Sequence, residues 1–360
     1  MTQSSQQNSK QIIPVTILSG FLGSGKTTLL KHILNEAHGY KIAVIENEFG
    51  EENIDNEILI SDTVPQIIQM SNGCICCNIR GDLQKSLNDL IIKLDNKEIE
   101  FDEIVIETTG VAEPGPVAQT FFLDEEINQR YRLDAVITLV DAKHAMTHLD
   151  KHVQVQQQIG FADRILITKA DLTDEKQIAE LKARIIKINP RTPIKMVSYG
   201  KLDLKEIFDI KGFNLDDKLD IDPEFLNAHQ HEHNHGHAHE HDCHDEHCTH
   251  EEHHHQNHHH AHHHIDSIQS FVYQTDKPFI YEKLEEFLSG ILTVYGEKLL
   301  RYKGILYMKN LNKKVILQGV HQIMGSDVGG VWAGKPRSKL VFIGTELPKD
   351  IILQGLELCH

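Results

Sequence analysis

The stretch I-I-P-V-T-I-L-S-G-F-L-G-S-G-K-T-T-L-L-K, Ile12 to Lys31, decides the fold. Its first half is an apolar, β-branched run, and its second, Gly20 to Thr27, fits G-x-x-x-x-G-K-[ST] without a mismatch. In that motif a strand feeds a loop whose glycines let backbone N–H groups curl around phosphate oxygens, and the next helix turns its positive end toward them. Gly20, Gly23, Ser24 and Gly25 are expected to line a phosphate cradle, with Lys26 reaching the β and γ phosphates. The Thr27 hydroxyl, with Thr28 beside it, is placed to ligate Mg²⁺.

Working outward, short β-branched runs alternate with helical patterns, the signature of a parallel sheet covered by helices. The runs are Ile12–Leu18, Lys41–Ile45, Glu103–Glu107, Ala135–Asp141, Arg164–Thr168 and Ile194–Val197, and the helical stretches include Lys26–Ala37, Leu83–Leu94 and Glu175–Ile188. The fold class is therefore α/β, a P-loop NTPase sheet with helices on both faces over residues 12–225, after an N-terminal stretch 1–11 expected to be disordered. Residues 229–264 hold nineteen of the 26 histidines, seven acids, two cysteines and no Lys or Arg, and read as part of a disordered linker spanning 226–264. From 265 to 360 the pattern gives strand Ser267–Tyr273, helix Pro278–Leu292, strands near Leu299–Tyr307 and Lys314–His321, strand Lys339–Ile343 and a helix from Lys349. That order suits a small α+β domain, with a ferredoxin-like sandwich as one form.

At 360 residues two domains are the natural expectation. A formal charge of −17 argues against a nucleic-acid partner, since phosphate backbones need clustered Lys and Arg. No apolar run approaches the roughly 18 residues that cross a bilayer, and the start lacks a signal peptide's order, so no membrane partner and a cytoplasmic location are expected. Six cysteines so unevenly spread do not form a secreted disulfide framework.

Two further motifs follow strands. T-K-A-D, Thr168 to Asp171, puts a carboxylate at a strand's C-terminal edge, where open α/β sheets bind ligands; with Lys169 beside it, Asp171 can accept both the N1–H and the exocyclic amine of guanine. I-V-I-E-T-T-G, Ile104 to Gly110, ends an apolar strand in Glu107, which can hold Mg²⁺ directly or through water, and Gly110 offers a backbone N–H to the γ-phosphate. N-G-C-I-C-C-N-I-R, Asn72 to Arg80, packs three cysteines into four positions. Those thiols could form a strained disulfide, act as a redox pair, lie in a core, or converge on a soft or borderline ion such as Zn²⁺.

Together G-F-L-G-S-G-K-T-T-L-L, E-N-E-F-G-E from Glu46 to Glu51, G-C-I-C-C, E-T-T-G, T-K-A-D and L-R-Y-K-G-I-L-Y resemble the CobW-type metallochaperone GTPases, relatives of the GTPases that load nickel into urease and hydrogenase. The resemblance covers nearly the whole chain apart from the linker. It implies GTP and Mg²⁺ as ligands, Zn²⁺ as cargo with Co²⁺ or Ni²⁺ open, and delivery to a client metalloprotein through the C-terminal domain or the switch regions. It places the internal metal site on Cys74, Cys76 and Cys77 with Glu46 and Glu51. Thr168 departs from the asparagine that usually opens the guanine motif, which puts nucleotide affinity in doubt.

Catalysis on this reading rests on positioning and charge stabilisation by the loop, Lys26, Thr27, Glu107 and Mg²⁺. No histidine or glutamine stands out to orient water, so unstimulated turnover should be slow. The histidine tract, including His233, His235, His237, His239 and His241, can hold several transition ions in interchangeable ways. Competing readings are a passive zinc or nickel store, a cobalt or nickel insertion GTPase for another cofactor or enzyme, and an ATP-using enzyme with structural cysteines. His144, His148 and His152 recur every four residues and read equally well as a scattered exposed helix face. Trp332 is open as a contact or a packed lid, and Cys359 as a plain thiol.

Overall fold

The computed structural model describes residues 12–35, 39–46, 79–198, 202–210, 212 and 266–360. The expectations for the N-terminal stretch, Glu51, Cys74, Cys76, Cys77, the linker and its His233, His235, His237, His239 and His241 lie outside these residues.

Strands β1 (Ile13–Gly20), β2 (Ile42–Glu46), β3 (Glu103–Glu107), β4 (Tyr131–Asp141), β5 (Arg164–Thr168) and β6 (Ile194–Val197) form one parallel sheet in the order β2-β3-β1-β4-β5-β6. Because successive side chains point to opposite faces, each strand feeds two cores. Ile165 and Ile167 enter one, Leu166 the other. Helix α1 (Lys26–Asn35) covers one face with Leu29, Leu30 and Ile33. The other face carries α2 (Ile79–Asp95), α3 (Pro114–Leu123), α4 (Glu125–Arg130), α5 (Ala145–Lys151), α6 (Val153–Phe161) and α7 (Glu175–Ile188). Helix α7 forms where Asp174 caps it, accepting from Gln177 N at 2.8 Å, and Leu181, Ile185 and Ile188 repeat at helical spacing toward the core.

The C-terminal block runs β7 (Ile268–Thr275), α8 (Tyr281–Tyr295), β8 (Leu299–Tyr307), β9 (Lys313–Val320), β10 (Ile323–Val331), β11 (Ser338–Thr345) and α9 (Lys349–Leu358). Its sheet, in the order β10-β9-β8-β11-β7, is antiparallel throughout. This β-α-β-β-β-β-α sequence departs from the β-α-β-β-α-β of a ferredoxin-like sandwich. The extra strand is β10, an edge strand paired only with β9, whose Gly325, Ser326, Asp327, Gly329 and Gly330 carry no apolar alternation. Trp332, just beyond it, stands edge-on to Tyr307 at 6.2 Å with the Lys314 ammonium over its ring. Cys359 is a buried free thiol, its pKa pushed up by burial, and an unreactive one.

The two sheets share a core. One face of the antiparallel sheet packs Phe271, Tyr302, Leu306 and Phe342 against α8 and α9, while Ile268, Leu300, Val320, Val341 and Ile343 from the same block join the core around α6. Asp163, between α6 and β5, fastens this joint. Its Oδ1 receives Arg301 Nη2 at 2.5 Å and Lys303 Nζ at 3.2 Å from β8, and Arg191 Nη2 at 3.3 Å; its Oδ2 accepts from Val136 N at 3.0 Å. Burial pushes Asp163 up, but the charges of Arg301, Lys303 and Arg191 outweigh it and hold the carboxyl well below its usual range. Burial likewise lowers Lys303, and lowers Arg191 to about 10.

Two predictions follow from these buried carboxylates. Replacing Asp163 by Ala leaves cations buried without their counter-charge, and the unfolding free energy in urea should fall by about 3–5 kcal/mol. Far-UV circular dichroism and the fluorescence of the single tryptophan should shift together, and a loss under about 1 kcal/mol would refute the joint. Glu103, 4% exposed and surrounded by Asp134, Asp209 and Asp102, is raised by burial and by those charges from 4.5 to about 8. The folded chain thus keeps on Glu103 a proton that the unfolded chain releases above 4.5, so this group's contribution to stability is fully present below 4.5 and is lost as pH rises toward 8. Glu103→Gln should remove a slope of up to about 1.4 kcal/mol per pH unit, read from urea unfolding between pH 5.5 and 8.5.

Candidate functional site

The phosphate loop sits where β1 hands the chain to α1. Gly20, Gly23 and Gly25 take φ of +143°, +74° and +98°, values L side chains rarely adopt, and they wind the backbone around the start of the helix. Lys26 is buried, its ammonium held by the carbonyls of Gly20 at 2.8 Å and Phe21 at 3.3 Å. Ser24 Oγ and Thr109 Oγ1 are buried with no hydrogen-bond partner among the described residues, as donors reserved for a ligand would be.

Glu107 ends β3, directly alongside β1, in register with Leu18. Thr27 Oγ1 donates to Glu107 Oε1 at 3.0 Å, so two hard oxygen donors stand together at the phosphate end of the sheet, the donor set Mg²⁺ takes. On the other side of Glu107, the register of β2 pairs it with Glu46. The backbone of this expected metal ligand is therefore the strand neighbour of the expected Mg²⁺ ligand.

Past Glu107 the chain folds tightly over the loop. Thr108 N and Oγ1 both reach Leu18 O, at 3.0 and 3.3 Å. Gly110 lies so close to Leu22 that an added Cβ would stand 2.6 Å from its backbone nitrogen, so only glycine brings its backbone this near the phosphate loop. Gln158, buried on α6, donates to Gly110 O at 3.0 Å and Ala112 O at 3.1 Å. Its amide nitrogen is committed to holding this segment, while its Oε1 is buried without a hydrogen-bond partner among the described residues. Glu113, three residues on, meets His321 Nε2 of the C-terminal block at 3.2 Å.

The T-K-A-D segment closes the opposite wall. Thr168 Oγ1 donates to Ser24 O at 2.8 Å, so a hydroxyl ties this segment to the phosphate loop where an asparagine is usual. Thr28 follows Thr27 in the first turn of α1. Lys169, at φ +57°, sends its ammonium to Gly23 O at 2.7 Å and Asp141 Oδ2 at 2.8 Å. Asp171 lies exposed in the single turn Ala170–Leu172. Asp141, at the end of β4, is a residue that motif reading missed. Burial raises its carboxyl, but hydrogen bonds from Lys169 and His144 outweigh that and keep it ionised, which in turn fixes Lys169 over the loop. Its signal was its position at a strand's C-terminal end, one strand before T-K-A-D.

Residues 14–196 match the CobW/HypB/UreG nucleotide-binding domain, and residues 268–360 match the C-terminal domain of the cobalamin synthesis protein CobW. The chain belongs to the CobW family. Within that family it is 41% identical to the zinc chaperone YjiA of Escherichia coli over 342 residues, 94% of this chain and 96% of that protein. It is 37% identical over 212 residues to a zinc-regulated GTPase metalloprotein activator of Schizosaccharomyces pombe, covering 56% of this chain and 50% of that one. The crystal structure of the Zn(II)-bound YjiA GTPase superposes with a TM-score of 0.73 at 37% identity, over 97% of this chain and 99% of that one. The CobW-family sheet therefore carries both the phosphate loop and the strand ends assembled around it.

The Asp141–Lys169 contact yields a test. Asp141→Asn keeps the shape but removes the charge holding Lys169 on the loop, and affinity for a fluorescent guanine nucleotide should fall about tenfold, the cost of a hydrogen bond to a charged group. Unchanged affinity would show that Lys169 needs no such anchor.

Proposed function

We propose that this chain hydrolyses GTP and uses the nucleotide state to control a transition-metal site that supplies a client metalloprotein, with Zn²⁺ as the favoured cargo. The observation that carries the reading is the register of β2 on β3, which sets Glu46 beside Glu107. The relatives named as a zinc chaperone and a zinc-regulated GTPase activator support both halves of it.

In this reading Gly20, Gly23, Ser24, Gly25 and Thr28 hold the phosphates through the loop and the start of α1. Lys26 exchanges the Gly20 and Phe21 carbonyls for phosphate oxygens. Thr27 and Glu107 hold Mg²⁺, which supplies charge neutralisation as the phosphoryl group transfers. Gly110, drawn against Leu22 and anchored by Gln158, senses the γ-phosphate with its N–H. Thr168, Lys169 and Asp171 form the base wall, Asp171 accepting two guanine N–H groups that adenine does not present together. No histidine or glutamine stands out in the sequence to orient the attacking water, so unstimulated turnover is slow on this reading.

Cys74, Cys76 and Cys77 with Glu46 and Glu51 form the internal metal site, and the tract from 226 to 264, with His233, His235, His237, His239 and His241, collects ions for it. The GTPase domain spans 12–225, and the domain from 265 to 360 receives the nucleotide signal through the His321–Glu113 contact and presents it to the client. Coupling between two such sites is about 1–3 kcal/mol, a change of roughly 5–150-fold in affinity.

Titrating Zn²⁺ into the full chain in its apo, GDP-bound and non-hydrolysable GTP-analogue forms tests this. Affinity should differ at least fivefold between the GDP and GTP-analogue forms, and an ATP analogue should leave it unmoved. Equal affinities in every form would make the chain a passive metal store, and an equal response to the ATP analogue would remove the guanine assignment.

A further inference from the structure

Packing alone does not ask for a glutamine at position 158. The residue is 0% exposed in α6, where a methionine would fill much the same space. Its Nε2 donates to Gly110 O at 3.0 Å and to Ala112 O at 3.1 Å, which uses both amide hydrogens. The other half of the amide is not so engaged: Oε1 is buried with no partner among the described residues. A buried amide oxygen left in that way is costly, and native interiors pair nearly all of them.

One other oxygen nearby is in the same position. Ser24, in the phosphate loop, is 1% exposed, and its Oγ has no partner among the described residues. An added Cβ on Gly20 would stand 2.7 Å from that oxygen and 2.5 Å from Leu139 O, which places the hydroxyl against the strand ends. Ser24 and Gln158 line one small cavity between the phosphate loop, the end of β4 and α6. Its volume is about 10 Å³, the room a single water molecule takes. Thr138 and Asp141 line it too, but Thr138 Oγ1 already donates to Gln158 O at 2.9 Å, and Asp141 already accepts from Lys169 and His144.

We propose that one buried water bridges Ser24 Oγ and Gln158 Oε1, and that Gln158, steadied through it, is the positioning residue that sets Gly110 for the γ-phosphate. The water donates to Oε1 and accepts the Ser24 hydroxyl, and Gln158 passes the constraint on through its two N–H bonds. A water with two fixed partners satisfies both orphaned oxygens at once. Glutamine is the side chain that fits, since one end of its amide accepts while the other donates twice. This rests on the reading above in which the Gly110 N–H meets the γ-phosphate.

The bridge makes Ser24 a junction. Its carbonyl accepts from Thr168 Oγ1 at 2.8 Å on the base side of the site, while its hydroxyl reaches α6 through the water. GDP and GTP both order the phosphate loop, but only GTP presents a γ-phosphate oxygen to Gly110. Breaking the bridge therefore weakens GTP binding and spares GDP. The segment does not come loose without it, because Thr108 N and Oγ1 still reach Leu18 O and Gly110 still packs on Leu22. What it loses is a fixed aim, and a donor that must reorganise to meet charge stabilises a transition state less than one already in place.

Gln158→Met and Ser24→Ala, singly and together, test this in the full chain, with affinities for fluorescent GDP and a fluorescent non-hydrolysable GTP analogue measured beside GTP turnover. Gln158→Met should weaken the analogue at least tenfold and lower kcat at least tenfold, while GDP affinity stays within threefold. Ser24→Ala should shift the analogue-to-GDP ratio the same way, and the double variant should lose no more than the worse single one, because both changes break one bridge. Equal effects on GDP and the analogue, including none, make Gln158 a packing residue and overturn the positioning role; losses that multiply overturn the shared water. The water has its own readout, which does not depend on any variant folding. A crystal structure of the unaltered chain with GDP should show it within hydrogen-bonding distance of both oxygens, and a dry cavity overturns the bridge. An unaltered chain that neither binds nor hydrolyses GTP removes the nucleotide reading itself, and this proposal with it, before any variant is compared.

Discussion

Asp163 carries its negative charge in a place water does not reach, and cations from one strand and a loop converge on it. Taking a carboxylate and three cations out of water costs several kcal/mol per ion, and only close, hydrogen-bonded geometry returns it. Here the geometry is close because two of the cations lie two residues apart on β8, on the same face of the strand. Arg301 also donates to Phe161 O at the end of α6, so β8 can dock in one register only. An apolar joint of the same area would tolerate sliding; a charge buried with its partners does not.

That register fixes α6 between two sheets, and α6 then places the groups the site needs. On one turn Gln156 Oε1 accepts from Ser267 N at 2.8 Å and Ile268 N at 3.1 Å, tying the helix to the first strand of the C-terminal sheet. One turn face away, Gln158 holds Gly110 and Ala112 beside the phosphate loop. The C-terminal sheet also touches the segment after β3 directly, through His321 on Glu113. A displacement of the Gly110 segment thus meets the C-terminal block at two points, through α6 and at the turn between β9 and β10 that carries His321. Small shifts at a packed joint are carried across it rather than dissipated, because interiors pack as densely as crystals.

The sequence made legible what depends on local chemistry. Gly20 to Thr27 could be read because a phosphate cradle requires glycines, lysine and a hydroxyl at fixed spacing, and the strand ends at Glu107 and Thr168 because a buried parallel strand is an unbroken apolar run. Helices α3 to α6 left weaker marks: α3 is apolar nearly all round, and α5, at seven residues, spans barely two turns, too short for a repeat to stand out. Strand β10 escaped because an exposed edge needs no apolar alternation. Asp141, Asp163 and Gln158 were hidden for a different reason. Each acts on a partner 28 to 138 residues away in sequence, and nothing local distinguishes a carboxylate that will meet Lys169 or Arg301 from one that will face water.

The neighbouring positions of Glu46 and Glu107 constrain how the proposed delivery can work. If, as proposed, Glu46 helps bind the cargo ion and Glu107 helps bind Mg²⁺, their neighbouring strand positions would bring two divalent charges near one another whenever both sites fill, and like charges at close range disfavour joint occupancy. Yet the coupling available to such sites, about 1–3 kcal/mol, is small beside the roughly 10–16 kcal/mol with which structural thiolate sites hold Zn²⁺. Nucleotide turnover therefore cannot expel a tightly held ion into water. It can loosen one ligand, and an acceptor whose own thiolates or imidazoles enter the vacated position then takes the ion by exchange, each new bond forming as an old one breaks. In the proposed delivery, direction would follow from the acceptor's affinity and timing from the nucleotide, so release would need a docked client just as opening would need GTP.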